Sequence, residues 1–276
     1  MADYTPTFTG SIPEHYDRHL VPIVFAPYAK DLASRLRYKP KRQILELACG
    51  TGAVTRELLD AISIDAELMV TDFSPAMLAY ARESIEDEFG PIAYSGVDWQ
   101  IADAGNLPFE DRRFDYVVCQ FGVMFFPDKP AAMREALRVL VPGGKLIFNV
   151  WGAMKDNPVF EAAELALRAA FPEESVPILP TPCSMSDEDQ LRRLVVDAGF
   201  CEPEITFLEF RATGYAASQV ASGFIYGTPI SAFVAEKGRL PEEMHARIEE
   251  KARELMGDPI DAIMIAIVCE ATAPAG

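Results

Sequence analysis

The stretch Gln43-Ile44-Leu45-Glu46-Leu47-Ala48-Cys49-Gly50-Thr51-Gly52-Ala53-Val54 decides how this 276-residue chain folds. Its aliphatic opening is too short for a buried helix and suits a strand, and a helical pattern begins after Gly52. The turn between them carries two glycines, which permit positive φ and let backbone amides approach a ligand at a helix N-terminus. Taken alone, such a turn is often purely steric. Its surroundings decide the matter.

Working outward, short β-branched or aliphatic runs at 43–47, 67–71, 98–102, 114–120 and 144–151 alternate with helical stretches at 54–62, 75–86 and 129–140. Strands spaced by helices specify a parallel sheet covered on both faces, the doubly wound α/β class. Ser74-Pro75 supplies an N-cap followed by proline at the first helical position. Beyond residue 151 come a helix at 158–170, a proline-rich bend at 171–182 and a helix opened by Ser186-Asp187-Glu188-Asp189 and ended by Gly199. Runs at 204–212 and 260–272 read as a sixth and a seventh strand. A mostly helical insertion separates them. We therefore expect a domain over 43–276, with an irregular segment over residues 1–42 before it and a mostly helical insertion at about 214–257 within it. Irregular additions to a regular sheet usually carry specificity.

Two acids share the sheet edge with the glycine turn. Asp72 closes the second strand and can accept both hydroxyls of a ribose, and Asp103 closes the third and can accept from an exocyclic amine. Singly, each reads as a capping or turn residue. Three loops of suitable chemistry at one edge point to a nucleoside site. A dinucleotide site would show Gly-x-Gly-x-x-Gly, whereas Ala53-Val54-Thr55 follows Gly52 with no third glycine.

Half of the residues are hydrophobic and the formal net charge is −17, so a phosphate backbone would be repelled. Nucleic acid is excluded as the expected partner. No run of lysine and arginine forms a basic amphipathic face, no apolar stretch is long enough to span a bilayer, and the opening residues lack an apolar signal region. A cytoplasmic protein is expected, without membrane insertion. Five cysteines without metal-ligand spacing read as small thiols, and no metal is expected.

The motifs together resemble a family. Glu46 to Gly52, Asp72-Phe73-Ser74-Pro75-Ala76-Met77, Asp103-Ala104-Gly105-Asn106-Leu107-Pro108-Phe109, Phe114 to Val118 and Leu140-Val141-Pro142-Gly143-Gly144-Lys145 resemble the class I S-adenosylmethionine-dependent methyltransferases. The style is that of the ubiquinone/menaquinone-biosynthesis branch. The resemblance implies a seven-stranded sheet of order 3-2-1-4-5-7-6 with the last strand antiparallel. It also implies S-adenosylmethionine as cofactor and S-adenosylhomocysteine as product. By resemblance Glu46, Ala48, Gly50 and Gly52 lie under the methionine part, Asp72 holds the ribose, and Asp103 with the Ala104 amide meets adenine. Phe73 and Met77 flank the base, and Gln120 offers its backbone carbonyl to the methionine ammonium. The family's first loop glycine is Ala48 here.

The resemblance also makes residues 1–42 a helical lid, with Tyr16 and Tyr28 against the cofactor and Phe25 beside the acceptor, and makes the insertion at about 214–257 a substrate cap. The remaining acceptor wall is expected from Met124, Phe125 and Phe126, from Trp151, and from Phe224, Ile225 and Tyr226 in the cap. Such a wall suits a small apolar or aromatic acceptor. Should the acceptor need a base, three histidines are present, and His15 and His19 share a helical face at four-residue spacing. His15 is the expected base. A homodimer is compatible with the sequence. Two other readings stand beside this one: a nicotinamide-dependent oxidoreductase, against which the missing glycine counts, and a non-catalytic cofactor-binding protein of the same fold.

Overall fold

The computed structural model describes residues 8–36, 42–63, 65–90, 96–173 and 181–276. Much of the expected proline-rich bend, at 174–180, and the first seven residues of the expected lid lie outside the described residues.

Seven strands form one sheet: β1 (Gln43–Glu46), β2 (Glu67–Asp72), β3 (Val97–Ile101), β4 (Phe114–Gln120), β5 (Leu140–Trp151), β6 (Glu204–Thr213) and β7 (Asp261–Thr272). Their order is β3-β2-β1-β4-β5-β7-β6. The first five run parallel, and β7 is antiparallel to both β5 and β6. The central strands bury consecutive residues, Ile44 to Glu46 in β1 and Tyr116 to Cys119 in β4, because both faces are covered. Ile44, Val118 and Ile147 pack with α2 (Ala26–Ser34), α3 (Ala53–Ala61) and α4 (Pro75–Phe89). Leu45, Val117 and Phe148 belong to the larger core on the opposite face.

Local signals set the helix starts. Ser74 Oγ accepts from Met77 N at 3.4 Å to cap α4, and Asp128 accepts from Ala131 N at 2.8 Å to cap α5 (Lys129–Val139). Strand β5 begins four residues earlier than the aliphatic run suggested. Leu140 already pairs with Phe114, and the register then shifts so that Tyr116 faces Lys145, which absorbs Pro142, Gly143 and Gly144 in an irregularity within the strand.

After α6 (Pro158–Ala170) and α7 (Glu188–Asp197), the segment between β6 and β7 folds as α8 (Ala217–Tyr226), α9 (Ile230–Glu236) and α10 (Pro241–Met256). Helix α10 packs on α6 and α8. The N-terminal α1 (Ile12–His19) lies across α8 at backbone contact. A β-carbon at Gly223 would stand 2.6 Å from the Leu20 side chain, and one at Gly227 would stand 2.8 Å from Tyr16 N. A five-residue π-helical turn, Val21–Phe25, then leads into α2. All five cysteines are unpaired, and Cys201 alone is exposed.

Candidate active site

The strand order reverses between β1 and β4, and ligands of doubly wound sheets bind at the carboxyl ends on either side of such a point. A cavity of about 260 Å3 lies there. Its floor is the glycine turn. Ala48, Gly50 and Gly52 all have positive φ, at 54°, 58° and 86°. A β-carbon at Gly50 would meet no atom within 4 Å, so that residue leaves bare backbone on the wall.

Asp72 stands beside this turn. Its Oδ2 accepts from Gly50 N at 2.8 Å and its Oδ1 from Ser74 N at 2.7 Å. Each oxygen keeps a further lone pair for a ligand donor. Burial pushes the carboxyl up to about 6, against the pull of the Ser74, Gly50 and Phe73 amides. Asp103 accepts from Gly105 N at 2.8 Å at the outer end of the same wall, beside Ala104.

Of the residues expected at the cofactor, Tyr16, Ala48, Gly50 and Asp72 line the cavity, as do Phe73, Met77, Asp103, Ala104 and Gln120. Phe125 and Phe126 line it as well. The Gln120 side chain turns away from the strand to donate to Phe25 O at 3.0 Å. Tyr16 stacks on Phe25 with ring centroids 5.1 Å apart, and burial, with Asp72 and Asp17 adding, raises its phenol well above the ordinary range.

Other expected residues are placed elsewhere. Glu46 is buried beneath the turn, where Thr55 Oγ1 donates to it at 2.7 Å, and burial pushes its carboxyl up to about 8. It joins β1 to α3. Gly52 starts α3 where a β-carbon would strike Ile85 at 2.7 Å. Tyr28 is in the core, donating to Met264 O at 2.6 Å with its ring edge-on to Trp151. Trp151 is also core, stacked on Phe121 at 3.8 Å. Phe25 packs behind Tyr16, Met124 is buried, and Phe224 packs on Phe160 at 5.8 Å. His15 is not on the cavity. It stacks on His19 and faces Tyr226, in a seam between α1 and α8 that also holds His245.

The structure adds Phe8, Phe121, Gly122 and Pro127 to the wall. Phe8 meets Tyr16 of α1, eight residues on, edge-on at 6.3 Å. The left-handed backbone of Phe121, at φ 50°, is silent in the sequence.

A methyltransferase-domain profile matches residues 44–144. Over 178 residues the chain is 32% identical to the ubiquinone/menaquinone biosynthesis C-methyltransferase UbiE of Shewanella woodyi, covering 61% of this chain and 70% of that protein. The chain belongs to the class I S-adenosylmethionine-dependent methyltransferases. The UbiE protein of Shewanella sediminis matches over the same shares at 31% identity. Among solved structures, the YcgJ protein of Bacillus subtilis shares the fold with a TM-score of 0.61 at 20% identity, over 91% of this chain and 100% of that one. Phosphoethanolamine N-methyltransferase 2 of Haemonchus contortus, solved with S-adenosyl-L-methionine, gives 0.59 at 14% identity, over 95% of this chain and 56% of that one.

The cofactor of this methyltransferase is S-adenosylmethionine. The cavity fits it: bare backbone at Gly50, a buried acid with spare lone pairs at Asp72, and a second acid at Asp103, in strand order along one edge.

Proposed function

We propose that this methyltransferase acts on a small apolar or aromatic acceptor, with Asp72 on the cofactor ribose, Asp103 and Ala104 at the adenine, and Gln120 beside the methionine arm. The observation that carries the acceptor class is the wall formed by Phe8, Tyr16, Phe125, Phe126 and Pro127, which is apolar apart from one phenol. When bound, the cofactor supplies an electrophilic methyl group on a sulfonium centre. The protein's part is to orient the acceptor in line with that group and to exclude water.

No histidine lines the cavity, and the Tyr16 phenol stays protonated because burial disfavours its anion. Tyr16 therefore orients by donating a hydrogen bond and does not accept the acceptor's proton. The Shewanella relatives are named as C-methyltransferases of ubiquinone and menaquinone biosynthesis, and an apolar ring acceptor suits the wall described here. Phe125, half-exposed on that wall, is the side chain assigned to meet such a ring.

Methyl transfer from labelled cofactor to a panel of apolar ring compounds and of charged amines tests the reading. It predicts turnover confined to the apolar compounds. Phe125→Ala should raise the acceptor KM about tenfold, the loss expected for an uncovered aromatic contact, and leave S-adenosylhomocysteine affinity unchanged. Turnover of the charged amines alone would refute it.

A further inference from the structure

The turn that closes β4 holds a bulky residue in a conformation such residues rarely adopt. Phe121 has φ of 50°. Two groups on β5 keep it there. Its N–H is shared between the backbone O of Asn149 at 3.1 Å and the Oδ1 of the same residue at 3.0 Å. Its ring lies flat on Trp151, with planes 4° apart. Asn149 is wholly buried, and its Nδ2 has no hydrogen-bond partner among the described residues. An amide so placed in a central strand carries a desolvation cost that an aliphatic residue would not. What it supplies in return is the second acceptor for Phe121 N–H.

Gln120, Phe121 and Gly122 all line the cavity, and the Gln120 side chain is taken up by Phe25 O. The turn thus presents backbone to the ligand. Strand order says which part of the ligand meets it. Strands β3, β2, β1 and β4 lie side by side, and their ends carry Asp103, then Asp72, then Ala48 to Gly50, then Gln120 to Gly122. With the ribose on Asp72 and the base toward Asp103, the amino-acid arm runs to the ends of β1 and β4.

We propose that Asn149 is a positioning residue for the amino-acid arm of the cofactor: it fixes the left-handed turn at Phe121 so that the backbone of 120–122 grips that arm. This rests on the placement of the ribose at Asp72.

The test is calorimetric titration of the wild type, Asn149→Leu and Asn149→Asp with S-adenosylhomocysteine and with 5′-methylthioadenosine, which has the same base, ribose and sulfur but no amino-acid arm. Asn149→Leu should bind S-adenosylhomocysteine about tenfold more weakly and 5′-methylthioadenosine as the wild type does. Asn149→Asp keeps an acceptor for Phe121 N–H and should retain most of the affinity for S-adenosylhomocysteine. If Asn149→Leu does not fold, Asn149→Ala carries the same comparison. Equal weakening of both ligands, or no weakening of either, overturns the proposal. A wild type that binds neither ligand overturns the Asp72 placement, and this assignment with it.

Discussion

Asp72 answers to two opposed influences. Burial holds its carboxyl near 6 against an ordinary 3.8, while a ribose diol needs the ionised form as acceptor. Affinity for S-adenosylhomocysteine should therefore rise with pH through about 6 and then level, and Asp72→Asn should flatten the profile. A titration series across that window that shows no pH dependence would contradict this. Stability of the ligand-free protein moves the other way. The folded carboxyl binds its proton more tightly than the unfolded one, so stability falls as pH rises from 3.8 toward 6, and Glu46 extends the fall from 4.5 toward 8. Glu46→Gln should remove the upper part of that slope in melting curves.

A second residue-scale pair is Ala48 and Gly122. A β-carbon at Gly122 would stand 2.6 Å from Ala48 Cβ and 2.7 Å from Cys119 Sγ. Gly122→Ala should destabilise by about 1–3 kcal/mol, as overpacking does. Adding Ala48→Gly, which also relieves a left-handed alanine, should recover part of the loss in denaturant melts. A double variant no better than the single one would show the two residues to be uncoupled. The position of Asp72 beside the glycine turn was legible in the sequence because the acid closes the strand next to β1, at the same sheet edge. Phe121 was not, because its meaning lies in a backbone angle and a contact with Asn149, 28 residues away.

Among the elements, the strands were legible where aliphatic runs are bounded by turn residues, and the one start displaced by more than a residue, that of β5, follows from an irregular register against β4. The packing of α1 on α8 was not. It depends on Gly223 and Gly227, whose spacing in the cap means nothing until another helix lies across them. The same limit explains the aromatic residues. His15 and Tyr16 are neighbours in α1, yet about 100° of helical rotation sends one to the cap and the other to the cavity. Tyr28, expected at the cofactor, instead joins α2 to β7 through Met264 O. Tyr28→Phe should therefore lower stability by about 1–3 kcal/mol in a denaturant melt, the cost of a buried carbonyl losing its donor, without changing S-adenosylhomocysteine affinity. A loss of affinity with unchanged stability would return Tyr28 to the cofactor wall.

At the scale of the whole molecule, the sheet order and the place where it reverses put three separate loops on one edge, and Phe8, Tyr16 of α1 and the turn after β4 bring aromatic residues to them, whereas the expected cap residues Phe224 and Tyr226 pack elsewhere. The parallel part of the sheet was readable because strand and helix alternate there, whereas its order and the antiparallel β7 were expected only from the family resemblance. The apolar end of the cavity was only half readable, because core and pocket draw on the same residue types and only the packed chain separates them. Among the described residues no helix is long and apolar enough to cross a membrane. The net charge of −17 sets a repulsive field against anionic polymers.

The central claim is that the edge cavity holds the cofactor with Asp72 on its ribose. Calorimetric titration of the intact chain and of Asp72→Ala with S-adenosylhomocysteine, with NAD as the control ligand, tests it most directly. Binding of S-adenosylhomocysteine should weaken by about 1–3 kcal/mol in the variant, and NAD should show no comparable affinity. Equal affinity in the two proteins, or a preference for NAD, would contradict it.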